Sequence, residues 1–168
     1  MPRSFDIAAE YEGTVEQVHR AFSDEHYWLV RLGDSGADDA TLDEMDVDDQ
    51  GNVRVKTTQT LRADRLPALV TQFHRGDLSF VREEIWTPVT EGRASAVVRA
   101  KIPGAPAGLT GQAQLVPAGE GSRMSLTATV EVRVPLLGGK IEKFIGNQLT
   151  DLVTAEQRFT SVWIAENA

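Results

Sequence analysis

The hydrophobic period of this chain changes sharply near its C-terminus, and that change limits the folds open to it. From Arg123 to Val134 the residues alternate. Met124, Leu126, Ala128, Val130, Val132 and Val134 stand on one side, with Ser125, Thr127, Thr129, Glu131 and Arg133 on the other. A period of two is a strand with one buried face. Pro135-Leu136-Leu137-Gly138-Gly139 stops it. Apolar residues then recur at helical spacing to about Glu166, with Ile141, Ile145, Gln148, Leu149, Leu152, Phe159 and Trp163 as one stripe. A helix of this length is roughly 40 Å long, enough to cross a whole domain.

The upstream pattern supplies the surface such a helix would cover. Arg3–Glu12 alternates, with Phe5, Ile7 and Ala9 on one side. Thr14 and Gln17 form a capping-box pair that opens a helix, and Ser23-Asp24 caps a second, short one over His26–Leu32. Thr41–Val47 and Asn52–Leu61 alternate around the turn Asp49-Gln50-Gly51-Asn52, with Val53, Val55, Thr57, Gln59 and Leu61 as the expected inner face. Leu66, Leu69, Val70 and Phe73 recur at helical spacing, which predicts a short helical insert. Strands follow at Leu78–Pro88, Arg93–Ile102, Leu109–Val116 and Arg123–Val134, separated by Gly and Pro, as in an antiparallel meander. The expected fold is therefore α+β: a seven-stranded curved antiparallel sheet wrapped around a long C-terminal helix, with two short helices after the first strand. One domain over 1–168 fits the length.

Composition narrows the chemistry. There is no cysteine, which excludes disulfides, thiolate nucleophiles and Cys-ligated metals. The first eleven residues carry Asp6 and Glu10 and lack an apolar core, so no signal peptide is expected and the cytoplasm is the expected location. Ile102–Gly119 is the longest uncharged stretch, but its three prolines rule out a spanning helix. The net charge of −8 argues against nucleic acid or an anionic membrane as the main partner. Residues 1–50 hold 14 acids and 3 Lys/Arg, and the acid excess between Asp34 and Asp49 reads as a solvated loop and hairpin.

The order of elements resembles the helix-grip fold of the START and birch-pollen-allergen (SRPBCC) superfamily, and more closely an actinobacterial branch with no assigned function. The residues that carry the resemblance are Ile102-Pro103-Gly104-Ala105-Pro106, Gly111 before Leu115, and Val134 through Glu142. Leu66-Pro67, Trp86, Glu156 and Trp163 fit it too. These mark turns, a helix start and core positions, not a catalytic motif. The resemblance implies a pocket for an apolar small molecule or lipid between sheet and helix.

Several motifs that could carry chemistry are better read as structure. Asp46–Gly51 imitates the start of a calcium loop, but Thr57 stands where a bidentate Glu is required. Gly33-Asp34-Ser35-Gly36 matches a protease nucleophile loop in four residues only, with no partner for a triad. His19, His26 and His74 lack metal-ligand spacing, so no metal site is expected. Gly104, Gly108 and Gly111 are spaced too widely to cradle phosphate.

The acid–base candidates are Glu84 with Arg82, and His26 at a pocket mouth. Strand parity puts Phe80, Arg82, Glu84 and Trp86 on one face, and the rarity of buried charge favours that face being outside. Thr57, Gln59 and Gln148 interrupt apolar stripes: either they sit at strand or stripe edges and reach solvent, or they face a cavity and orient a polar ligand head. Expected walls are Met45, Val55, Trp86, Val98, Ala113, Phe144, Ile145 and Leu152. The segment Tyr27–Leu32, with Tyr27 and Trp28, and the insert Leu66–Phe73 would close the mouth. Such a site needs no cofactor. The leading expectation is binding of a hydrophobic small molecule. The rivals are a cyclase- or hydrolase-type enzyme in the same cavity, and a partner-binding module with a closed core.

Overall fold

A computed structural model describes residues 2–72 and 74–167. The elements run β1 (Arg3–Tyr11), α1 (Val15–Phe22), α2 (Glu25–Gly33), β2 (Asp39–Val47), β3 (Val53–Leu61), α3 (Ala68–Thr71), β4 (Leu78–Trp86), β5 (Ala94–Lys101), β6 (Ala107–Ala118), β7 (Gly121–Val132) and α4 (Gly138–Glu166). The seven strands form one antiparallel sheet in the order β1-β7-β6-β5-β4-β3-β2. The segment holding α1 and α2 therefore connects one edge strand to the other, and α4 rests on β1 and β7.

Local chemistry accounts for the helix starts. Thr14 and Gln17 satisfy each other's backbone N–H groups in a full capping box, at 3.2 and 2.8 Å. Asp24 accepts the N–H of His26 at 2.9 Å and opens α2. Asp48 accepts the N–H groups of Gln50 and Asn52. The calcium-like motif is thus a hairpin turn, and Thr57 is buried in β3. The insert is shorter than its periodicity predicts: a 3-10 turn over Ala63–Arg65, then four residues of α3. Phe73, counted in that periodicity, lies outside the described residues.

The start of α4 is fastened to the end of β7. Glu142 is buried, and its carboxylate accepts the N–H of Val132 at 2.9 Å. A β-carbon on Gly138 would sit 2.6 Å from the Val132 carbonyl oxygen, so only glycine lets the helix begin there. Further along, a β-carbon on Gly146 would run into the Phe5 ring, so α4 and β1 meet across a glycine.

That contact rotates α4 relative to the stripe expected from hydrophobicity. The buried line is Gly138, Ile141, Glu142, Gly146, Leu149, Val153 and Thr160. Small residues allow the closest approach, so Phe144, Ile145, Leu152, Phe159 and Trp163 become half-buried flanks. Gln148 is exposed on the rotated helix, so the polar anchor expected there does not face the sheet.

Candidate functional site

The inner face of β4 carries the main correction to the sequence reading. Arg82 and Trp86 are buried, at 7% and 1% exposure, while Ile85 on the opposite face is 38% exposed. The face with Phe80, Arg82, Glu84 and Trp86 therefore points inward. Buried charge is tolerated here because it is paired. Glu156 of α4 accepts Nη1 and Nη2 of Arg82 at 3.2 and 2.6 Å, a bidentate contact. Arg31 of α2 reaches the same Oε2 at 2.6 Å. Glu84 lies 3.4 Å from Arg82 Nε and accepts the Trp86 indole N–H at 3.2 Å. Two guanidiniums and two carboxylates make the cluster neutral.

Hydroxyl groups extend it. Arg31 Nη1 donates to the Tyr27 oxygen at 3.1 Å. Thr160 Oγ1 donates to the Glu156 carbonyl at 2.7 Å, which leaves the Tyr27 O–H to donate to Thr160 Oγ1 at 2.6 Å. Tyr11 is buried, and its hydroxyl donates to the Met124 sulfur at 3.8 Å. One donor is left over: Arg82 Nε is buried and makes no hydrogen bond.

The environment sets the protonation states. Burial alone would raise the Glu156 carboxyl, but Arg31 and Arg82 outweigh it and hold it at about 2. Burial likewise opposes the charge on both guanidiniums, yet Glu156 holds them above their ordinary value. Burial pushes the phenols of Tyr11 and Tyr27 upward. Glu156 is therefore a fixed anion and not a proton donor at neutral pH.

The other expected site residues fall into three places. Val55, Thr57, Trp86, Val98 and Ala113 are buried on the inner sheet face. Met45, Gln59, Phe144, Ile145 and Leu152 are half-buried. Tyr27 and Trp28 are fully buried, so they are core and not a solvent-facing mouth. α2 is wedged between α4 and the sheet, and both rings pack on Phe22, with Trp86, Phe159 and Trp163 completing the cluster. His26 is exposed with its ring 5.5 Å from that of Trp163, away from the Arg82–Glu84 pair. His19 and His74 each contact a backbone carbonyl, of Thr87 and Asp77. Among the described residues no group of three or more His, Asp or Glu is placed to hold a metal ion, and no helix is long and apolar enough to cross a membrane.

Arg31 and Glu156 were not among the expected site residues, although both left a signal. Arg31 stands four residues after Tyr27, on the same helix face. Glu156 continues the spacing of Leu149, Val153 and Thr160, a carboxylate on the face turned to the sheet.

Comparison with known proteins agrees with this architecture. Residues 6–164 match a family described as "Protein of unknown function (DUF2505)". The chain belongs to that family. Its DUF2505 relatives include an uncharacterised protein of Mycobacterium tuberculosis (strain ATCC 25618 / H37Rv), Rv0481c, 53% identical over 99% of both chains. An uncharacterised protein of Mycobacterium bovis, Mb0491c, shows the same identity and coverage. Among solved structures, TTHA0849 from Thermus thermophilus superposes with a TM-score of 0.64 at 16% identity, over 99% of each chain. Ara h 8.0201 gives 0.61 at 8%, again over 99% of each. A START superfamily protein from Mycobacterium smegmatis gives 0.55 at 12%, over 98% of this chain and 99% of that one. These similarities establish that this DUF2505 protein has the helix-grip fold.

Proposed function

We propose that the protein binds a hydrophobic small molecule or lipid between the inner face of the sheet and α4. One gradient along β3 and β4 carries this reading. At the Val53–Trp86 pair the inner face is fully buried, and it remains so at Thr57–Arg82. At Gln59–Phe80 and Leu61–Leu78 it is half exposed, although the residues are mostly apolar and still point inward. Among the described residues, a 3-10 turn and the single turn of α3 follow β3 there, with Val70 tucked in and Leu69 half-buried. An apolar concavity with a few polar points is the usual composition of a ligand site. Thr57 and Gln59 supply polar points on the wall, and the Arg82–Glu156 cluster closes the deep end.

The test is native mass spectrometry of protein purified gently from its own cells, followed by organic extraction and displacement of a fluorescent fatty acid. A reproducible adduct, and probe binding weakened in Gln59→Leu, is the expected result. An empty protein that also ignores the probe overturns the reading and favours a closed, partner-binding core.

One observation keeps an enzymatic reading in play. Glu84 faces inward, its side chain is 13% exposed, and it lies between Arg82 and the Trp86 indole. A cyclase- or hydrolase-type reaction could use it as the acid or base. In that case Glu84→Gln accumulates unconverted ligand, whereas a carrier holds the same ligand in both forms.

A further inference from the structure

We propose that the end of the molecule formed by the β7–α4 loop docks on an anionic lipid bilayer. This goes beyond ligand binding and stands without it. The loop exposes an apolar tip. Leu136 is fully exposed, at 101%, and its backbone is left-handed at a φ of 68°, a conformation that disfavours a branched side chain. Neither burial nor backbone geometry accounts for a leucine there. Val134, Pro135 and Gly139 join it around a groove of about 550 Å³ that also includes Pro2 and the paired Glu131 and Arg133. The 102–106 loop lies alongside, joined by the Arg133 N–H to the Pro106 carbonyl at 2.9 Å.

The charge around this tip runs against the acidic total of the chain. Arg3, Lys101, Arg133, Lys140 and Lys143 are all exposed at this end, and the Arg3 guanidinium lies near Gly139. The acids in the same segment are Glu131, paired with Arg133 at 3.2 Å, and Glu142, buried on the Val132 N–H. Five bases thus face one accessible acid. Lys140 and Lys143 sit in the first turns of α4, where the helix dipole disfavours cations and where no acid stands in the first turn. Helix stability therefore does not explain them. The insert and the loop into β2 share this end and are slightly acidic, with Arg62, Arg65 and Arg75 beside Asp34, Asp38, Asp39, Asp64 and Asp77, so the basic collar is confined to the side around Leu136.

An apolar tip inside a basic collar fits a lipid headgroup layer with negative charge. Each basic side chain near such a surface strengthens association by roughly fivefold at moderate salt. The strand register adds a second reason. The end of β7, the start of β4 and the end of β3 lie at the same edge of the sheet. Docking through Leu136 turns the half-open rows Gln59–Phe80 and Leu61–Leu78 toward the lipid.

The experiment is flotation of the purified protein with two kinds of vesicle: equal parts phosphatidylglycerol and phosphatidylcholine, or phosphatidylcholine alone. The expected result is salt-sensitive flotation with the mixed vesicles only. Leu136→Asp and the Lys140→Glu/Lys143→Glu pair should each reduce it about tenfold or more. Leu136→Gly removes the apolar tip while relaxing the backbone, so it should lose flotation without a lower Tm. Fatty-acid probe binding is read in the same variants and should not change, which separates failed docking from a failed pocket. A wild-type protein that floats with neither vesicle, or equally with both, overturns the proposal. So does flotation indifferent to Leu136→Asp.

Discussion

Glu156 holds Arg82 through both carboxylate oxygens, at 3.2 and 2.6 Å, and so ties the long helix to the middle of the sheet. Because Arg31 meets the same Oε2, one carboxylate fixes α2, α4 and β4 together. Replacing a well-paired internal ion cluster by apolar side chains is often harmless, but removing one member strands the rest. Glu156→Ala leaves two guanidiniums facing each other in the interior. Urea unfolding should show a loss of about 3–5 kcal/mol, well above that of an ordinary surface Glu→Ala.

The same carboxylate sets an acid limit. Its folded value of about 2 lies below the ordinary 4.5. Its contribution is therefore present above about 4.5 and is lost as pH falls towards 2. The shift corresponds to about 3 kcal/mol. The urea midpoint of the wild type should fall steeply across that window, and in Glu156→Gln the slope should be shallower. Equal slopes would remove Glu156 as the source.

The two tyrosines of the chain give a spectroscopic check on the interior. Tyr11 and Tyr27 are both buried, and burial raises both phenols above the ordinary 10. In the unfolded chain they ionise near 10, so this contribution to stability holds below that pH and is lost as pH rises above it. Native protein should show no tyrosinate absorbance at pH 10, and the signal should appear only together with unfolding. Early absorbance without loss of tryptophan signal would mean that water reaches Tyr11 or Tyr27.

Gly146 and Phe5 should behave as one unit. A methyl at Gly146 meets the Phe5 ring, so Gly146→Ala should destabilise by about 1–3 kcal/mol despite the better helix propensity of alanine. Phe5→Ala makes room at the cost of a lost ring. The double variant should be more stable than the sum of the two single losses, and a coupling energy near zero would place the contact elsewhere.

Glu142→Ala should expose the joint between sheet and helix. It orphans the buried Val132 N–H and should cost about 1–3 kcal/mol. Amide exchange should accelerate first at Val132 and in the opening turn of α4, before the rest of β7.

Where the pattern is local, the sequence is readable. The capping pair Thr14–Gln17, the alternation of Phe5, Ile7 and Ala9, and the inner set Val53, Val55, Thr57 and Gln59 stand in the structure as the spacing predicts. The misreadings share one cause. Whether Arg82 faces in or out depends on a carboxylate 74 residues away, and no period along β4 records that partner. The rotation of α4 depends on Gly146 opposite Phe5, and a stripe defined by hydrophobicity passes over a glycine. Such a stripe turns Gln148 inward for that reason. Tyr27 and Trp28 read as a mouth because adjacent aromatics on a short helix do not reveal that α2 is covered on both sides.

The pairing of β1 with β7 has a consequence for how the chain is made. Residues Arg3–Tyr11 find their partners only at Ser122–Val130, and Phe5 finds Gly146 later still. The hairpins from β2 through β7 can close in turn as they leave the ribosome. β1 cannot, and it waits with its alternating apolar face uncovered until β7 has been made. Contacts of such long sequence separation slow folding and leave an open strand edge exposed to other chains. β1, made long before the strand it pairs with, is therefore a point at which assembly of this protein is vulnerable to aggregation.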